Sequence, residues 1–206
     1  MKKQRSLGIV AGPTFSCAAL LAATACVSAS ENYDELGAIA EAEDFGTEPA
    51  ATVALEKRSN SSVTGNLSMT EVGAAEKPEI RIEGKITGLM PGSVHGFHIH
   101  EKGDCSAPDA ASAGGHFNPA QGAHGIYTNN HPELHHAGDL GNVTADDTGT
   151  ATVAMTVPNL TLRSGSPSSI VGRSIIVHEK PDDLKTQPTG GAGARYACGV
   201  IALDQK

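Results

Sequence analysis

The sequence predicts an all-β fold: a Greek-key sandwich or barrel of about eight antiparallel strands carrying two long functional loops. Three observations lead there. From residue 51 onward, apolar and polar residues alternate with period two in seven segments, separated by clusters of Gly, Pro, Asn and Asp. No ten-residue stretch of this region has strong helical periodicity. The chain has 24 glycines, 11 prolines and no tryptophan, which suits many tight turns around a core of Val, Ile, Leu and Ala. Several short strands at this spacing are the pattern of sandwiches and barrels.

The segments expected as strands are, in order, ATVALEK (51–57), GNLSMTEV (65–72), IRIEGKITGL (80–89), SVHGFHIH (93–100), GTATVAMTVPNLTL (149–162), RSIIVHE (173–179) and YACGVIAL (196–203). The run ADDTG, Ala145 to Gly149, reads as a hairpin turn. Two segments break the rhythm. Glu101 to Asp139 is a long run of Gly, Ala, Ser, His and Pro, and His178 to Tyr196 is a second loop. Structureless loops of this length are usually functional. With little apolar surface to bury, they need a covalent or metal clamp to order them.

The two ends of the picture before residue 51 are of a different kind. Lys2, Lys3 and Arg5 precede an uncharged stretch from Leu7 to Ala29 that ends in small residues, the layout of an export signal over residues 1–29. Two processing routes stay open. VSA (Val27 to Ala29) fits cleavage before Ser30, and ATAC (Ala23 to Cys26) is an imperfect lipoprotein box that would place a lipid anchor on Cys26. Residues 30–50 hold seven acids and no Lys or Arg, an acidic flexible spacer. Without the signal, 12 basic side chains face 23 acidic ones, a net charge of −11, and from residue 51 on 12 face 16. An acidic domain excludes nucleic acid as the expected partner. Of four cysteines only Cys105 and Cys198 belong to the domain over residues 51–206. In an exported protein, periplasmic or associated with the cell envelope, these two are expected to form a disulfide.

All nine histidines fall between positions 95 and 178. In a strand, residues i and i+2 share a face, so His98 and His100 form a two-ligand clamp that His178, at the end of SIIVH, can complete. His116, His124, His136 and Asp139 lie in the first long loop. An imidazole set suits Cu, Zn, Fe or Ni, whereas three His plus a carboxylate in a closed tetrahedron suits Zn. His95, at odd offset from His98, is expected to pack or hydrogen-bond. His131 and His135 are expected to be spare.

The blocks GFHIHEKGDC, SAGGHFNP, HAGDLGNVTAD, GRSIIVHEKPDDL and GAGARYACGVI resemble the copper/zinc superoxide dismutases, in particular an exported bacterial type, over residues 51–206. The resemblance implies copper held by His98, His100, His116 and His178, and zinc held by His116, His124, His136 and Asp139. His116 would serve both metals and act in catalysis. It further implies Asp182 as the acid linking His98 to His124, Arg195 as the guide for the superoxide anion, Thr189 in the channel wall, and a homodimer. The implied reaction is superoxide to dioxygen and hydrogen peroxide through alternating copper oxidation states. The chain departs from the eukaryotic pattern in its short second loop, which lacks a charged run before TGGAG, while Lys180 and Lys185 remain nearby. Relatives that only carry or deliver metal typically lack a copper ligand or the arginine. All seven ligand positions and Arg195 are filled here.

Overall fold

The computed structural model describes residues 49–126 and 134–205; the expected signal, most of the spacer, Cys26 and His131 lie outside the described residues. Among the described residues there are nine strands: β1 (Ala50–Lys57), β2 (Thr64–Ala74), β3 (Lys77–Thr87), β4 (Val94–His100), β5 (Asp139–Thr144), β6 (Ala151–Pro158), β7 (Ser174–His178), β8 (Arg195–Val200) and β9 (Ala202–Leu203). Eight of them lie side by side in the order β5-β4-β7-β8-β1-β2-β3-β6, and β9 pairs with β1. Every pairing is antiparallel. The order is non-sequential at β3 to β4, β5 to β6 and β6 to β7, as in a Greek key, and the ladder curls into a nearly closed barrel.

The alternation seen in the sequence is the alternation of burial. Along β1, Ala51, Val53 and Leu55 are buried and the residues between them exposed. β2 and β3 repeat this with Leu67 and Met69 and with Ile80 and Ile82. One aliphatic core fills the barrel, joined by Phe97 and Ile99 of β4 and by Ile175 and Val177 of β7. β4 and β7 differ from the rest because both of their faces are buried. Phe97 and Ile99 point into the barrel. His98 and His100 point out of it, beneath the long loops.

Four expectations about elements are corrected. β5 was not expected as a strand: Gly141 (φ 84°) and Asn142 interrupt its apolar pattern, and Leu140 is only partly buried. The Ala145–Gly149 run is a tight turn, closed by Asp146 N–H to Thr150 O, but not a hairpin. It joins β5, which pairs with β4, to β6, which pairs with β3, so it crosses between the two free edges of the ladder. The 149–162 segment ends as a strand at Pro158, where Asn159 turns at φ 62°. The 196–203 segment divides at Ile201, whose backbone pairs instead with Gly172 and Arg173.

The Cys105–Cys198 disulfide forms as expected, with a sequence separation of 93 residues. It ties the first loop to β8 and, in the chain-entropy model, contributes about 4–5 kcal/mol. Arg58 Nε donates to the Cys105 carbonyl at 2.9 Å and fixes the loop from the other side.

Candidate metal centre

β4 supplies two histidines to one outer face because the side chains of a strand alternate. β7 runs beside β4 with Ile176 opposite His98, which puts His178 on that same outer face. The first loop returns along β4: Phe117 N–H donates to Ile99 O at 2.8 Å, and His116 forms a bridge with His100. Phe117 turns into the core with the Arg173 guanidinium 3.6 Å over its ring. Its neighbour His116 therefore faces the histidines of β4 and β7. Asp139, the first residue of β5, pairs with His98 and enters from the opposite side.

Two groups result. His98, His100, His116 and His178 bring one ligand atom each within 4.8 Å of one another, and so do His116, His124, His136 and Asp139. All seven residues are buried. His116 belongs to both groups. These are the seven residues that the sequence put forward.

Hydrogen bonds select which nitrogen each ring turns inward. His98 Nε2 lies 2.8 Å from Asp182 Oδ2, and His124 Nε2 lies 2.9 Å from Asp182 Oδ1. A carboxylate only accepts, so both rings carry hydrogen on Nε2 and turn Nδ1 toward the two groups. His100 Nδ1 faces Gly114 O at 3.0 Å and His178 Nδ1 faces Gly193 O at 3.4 Å, which leaves both Nε2 atoms bare. Those two Nε2 atoms face each other at 3.3 Å. In the second group, Asp139 Oδ1 lies 2.7 Å from His116 Nδ1, 3.0 Å from His124 Nδ1 and 3.2 Å from His136 Nδ1. Its other oxygen accepts the backbone N–H groups of His136 and Gly125.

Among the described residues, the buried side-chain nitrogens without a hydrogen-bond partner are His98 Nδ1, His116 Nε2, His124 Nδ1 and His136 Nδ1. A buried polar atom left unpaired costs about 1–3 kcal/mol, and here four such atoms point into two shared spaces. A cation in each space satisfies them. The first group, all imidazole, suits copper; the second, three imidazoles and one carboxylate, suits zinc.

Burial disfavours the charged form of His100, His116 and His178. Burial pushes His116 down to about 4 and His178 down to about 3, with the neighbouring histidines adding to the effect. Burial also holds His100 well below its ordinary value. Lone pairs are therefore free at neutral pH. His124 moves the other way, to about 9: burial opposes its charge, but the hydrogen bonds and charges of Asp139 and Asp182 outweigh burial. Asp139 and Asp182 both lie below the usual carboxylate range, because hydrogen bonds from the histidines overcome burial.

Comparison with known proteins agrees with this chemistry. Residues 63–201 match the family described as copper/zinc superoxide dismutase. The chain belongs to the copper/zinc superoxide dismutase family. It is 42% identical to copper/zinc superoxide dismutase 2 of Aquifex aeolicus over 137 residues, 63% of this chain and 78% of that protein. It is 37% identical to the extracellular copper/zinc superoxide dismutase of Brugia pahangi over 166 residues, 76% and 78% of the two chains. Among solved structures, a double mutant of a superoxide dismutase-like protein from Bacillus subtilis aligns with a TM-score of 0.63 at 42% identity, covering 73% of this chain and 96% of that one. Copper and zinc are the metals of the family.

The remaining predicted residues fall as follows. Arg195, half-buried at the start of β8, donates from Nη1 to Ala110 O at 2.6 Å and from Nη2 to Gly114 O at 2.7 Å. Gly114 O thus receives both Arg195 and His100. Thr189 is half-buried in the second loop, and its carbonyl accepts Ala192 N–H at 3.4 Å. His95 is buried as scaffold, with Nε2 2.6 Å from Ser93 Oγ and Nδ1 2.8 Å from His178 O. His135 stands outside both groups but is not a surface residue: it is buried, and its Nδ1 lies 2.8 Å from His136 O.

Sequence reasoning missed three side-chain amides. Asn118 pairs both ways with the Gly122 backbone, Asn142 with the Asp182 backbone, and Gln187 with the His124 backbone. They order loops that have little apolar surface. No spacing marks them, since each partner is fixed only by the fold.

Proposed function

We propose that the protein dismutes superoxide outside the cytoplasm, with copper held by His98, His100, His116 and His178 and zinc by His116, His124, His136 and Asp139. The observation that carries this reading is the shared residue: His116 turns one ring nitrogen to each group, with Asp139 beside Nδ1 and no hydrogen-bond partner at Nε2. Copper, when bound, supplies one-electron chemistry by alternating between two oxidation states, while zinc supplies a fixed charge. Across the pair of half-reactions, two superoxide anions and two protons become one dioxygen and one hydrogen peroxide.

The chain's own residues do the rest. His116 Nε2 is a nitrogen that can hold a proton next to an arriving anion. Asp139, below the usual carboxylate range, keeps Nδ1 directed at the second metal. Asp182 fixes the rings of His98 and His124 at once, so the two metal positions share one support. Arg195 supplies a local positive charge in a protein whose net charge of −8 repels the substrate. Its two carbonyl anchors hold the guanidinium beside the first group, and Thr189 lines the channel with it. Export through residues 1–29, the acidic spacer over 30–50, a lipid on Cys26 as one processing route, and a homodimer complete the proposal. The disulfide and the extracellular Brugia relative support export.

The test is superoxide consumption by the purified protein carrying both metals, before and after selective copper removal. Activity that disappears with copper and returns on its re-addition supports the reading. A protein that binds both metals and consumes no superoxide overturns it.

A further inference from the structure

His124 is held at both its ring and its main chain. Its ring faces Asp139 through Nδ1 and Asp182 through Nε2. Its main chain is gripped as well. Gln187 Oε1 accepts the His124 backbone N–H at 2.7 Å, and Gln187 Nε2 donates to the His124 carbonyl at 2.8 Å. The same Nε2 donates to Lys185 O at 3.1 Å, so both amide hydrogens and the amide oxygen are engaged. Gln187 and His124 are 63 positions apart, so the pairing joins the two long loops. Gly125 N–H, next along the chain, donates to Asp139 Oδ2 at 3.1 Å. The Gln187 amide acts on His124 as a neighbouring β-strand would, setting the height and rotation at which the ring leaves the backbone.

We propose that Gln187 is a positioning residue for the second metal group: it pre-forms the His124 ligand and slows the escape of the metal held there. This rests on the reading of His124 as a zinc ligand. Asp182 and the metal can hold the ring, but among the described residues only Gln187 reaches both polar groups of the His124 main chain. Without it, the attachment of His124 to the second loop among the described residues is that of its imidazole to Asp182. Outer partners of metal ligands commonly affect affinity by about 10–100-fold. An amide that fixes a ligand's backbone belongs to that range.

The test uses the full-length protein and the variants Gln187→Leu, which removes both hydrogen bonds, and Gln187→Glu, which loses the donor. Two quantities are read: the rate at which zinc passes to a chromogenic chelator, and the visible d–d spectrum of Co(II) placed in the same group. Copper retention is followed in parallel. The expected result is about tenfold faster zinc release in both variants, a changed cobalt spectrum, and copper retention equal to that of the unmodified protein. Zinc release within twofold of the unmodified protein overturns the proposal. So does equal acceleration of copper and zinc loss with an unchanged cobalt spectrum, which is general loosening rather than positioning. If the unmodified protein gives no tetrahedral cobalt spectrum, the zinc-ligand reading falls, and the proposal with it.

Discussion

Gly190 is the place where a single methyl group reaches the metal centre. Its φ is +65°, and a Cβ there would overlap Asp182 Oδ1 and lie 2.6 Å from His124 Nε2. The adjacent Gly191 has nearly the same backbone, φ +64°, but a Cβ there would meet only Asp183 Oδ2, at 3.9 Å. Alanine in the left-handed region costs about 1–2 kcal/mol at either position. The stiffer unfolded chain gives back about 0.4–1 kcal/mol in both. These terms cancel between the two variants. What remains is the displacement of Asp182 from a histidine, a charge-assisted hydrogen bond of about 1.5–3 kcal/mol. Gly190→Ala is therefore expected to be less stable than Gly191→Ala by about 1.5–3 kcal/mol. The assay is denaturant unfolding of the metal-free proteins, with midpoint and slope compared. If the two variants lie within about 0.5 kcal/mol of each other, a spread ordinary surface substitutions also show, Asp182 does not carry the load assigned to it.

Arg195→Ala is expected to lower superoxide turnover about tenfold at low ionic strength, the lower end of electrostatic steering, with copper and zinc contents unchanged; loss of metal would instead show a structural arginine. The metal-free protein is expected to lose stability in acid. The contributions of His116 and His178, depressed to about 4 and about 3, are complete above the ordinary 6.5 and lost as pH falls through those values. A denaturation midpoint unchanged between pH 7 and pH 4 would contradict that. Zinc uptake should also strengthen as pH rises, but in a higher window. His124, raised to about 9, holds a proton that zinc must displace, so affinity rises about tenfold per pH unit between 7 and 9. Chelator competition that is independent of pH over that range would refute it.

The candidate metal centre was legible in the sequence because its parts are local. Two histidines at i and i+2 must share a face of β4, and the strand that ends in His178 has a plain apolar pattern. The blocks around His116, His136 and Asp139 supplied the rest by resemblance. Disulfide pairing followed from having two cysteines in the domain. What stayed hidden depends on distant partners. β5 is written in Asp, Gly and Asn because its first residue reaches the metal groups and its Asn142 side chain holds the Asp182 backbone. Gln187 looks like any loop glutamine until the fold sets it beside His124. Glu71 is another case: buried in β2, it accepts Thr161 Oγ1 and Leu162 N–H at 2.7 Å each and pairs with Arg163 at 2.8 Å. It organises the turn after β6, and no sequence period marks it, since it occupies an ordinary inward position of a strand.

Two different metals are expected to share the His116 ring. Diffraction from crystals of the copper- and zinc-loaded protein, with anomalous data on both sides of each metal's absorption edge, tests it most directly. Copper is expected among His98, His100, His116 and His178, and zinc among His116, His124, His136 and Asp139, with one ring nitrogen of His116 on each. A single metal, or two metals with His116 bound to only one of them in the oxidised protein, would contradict it.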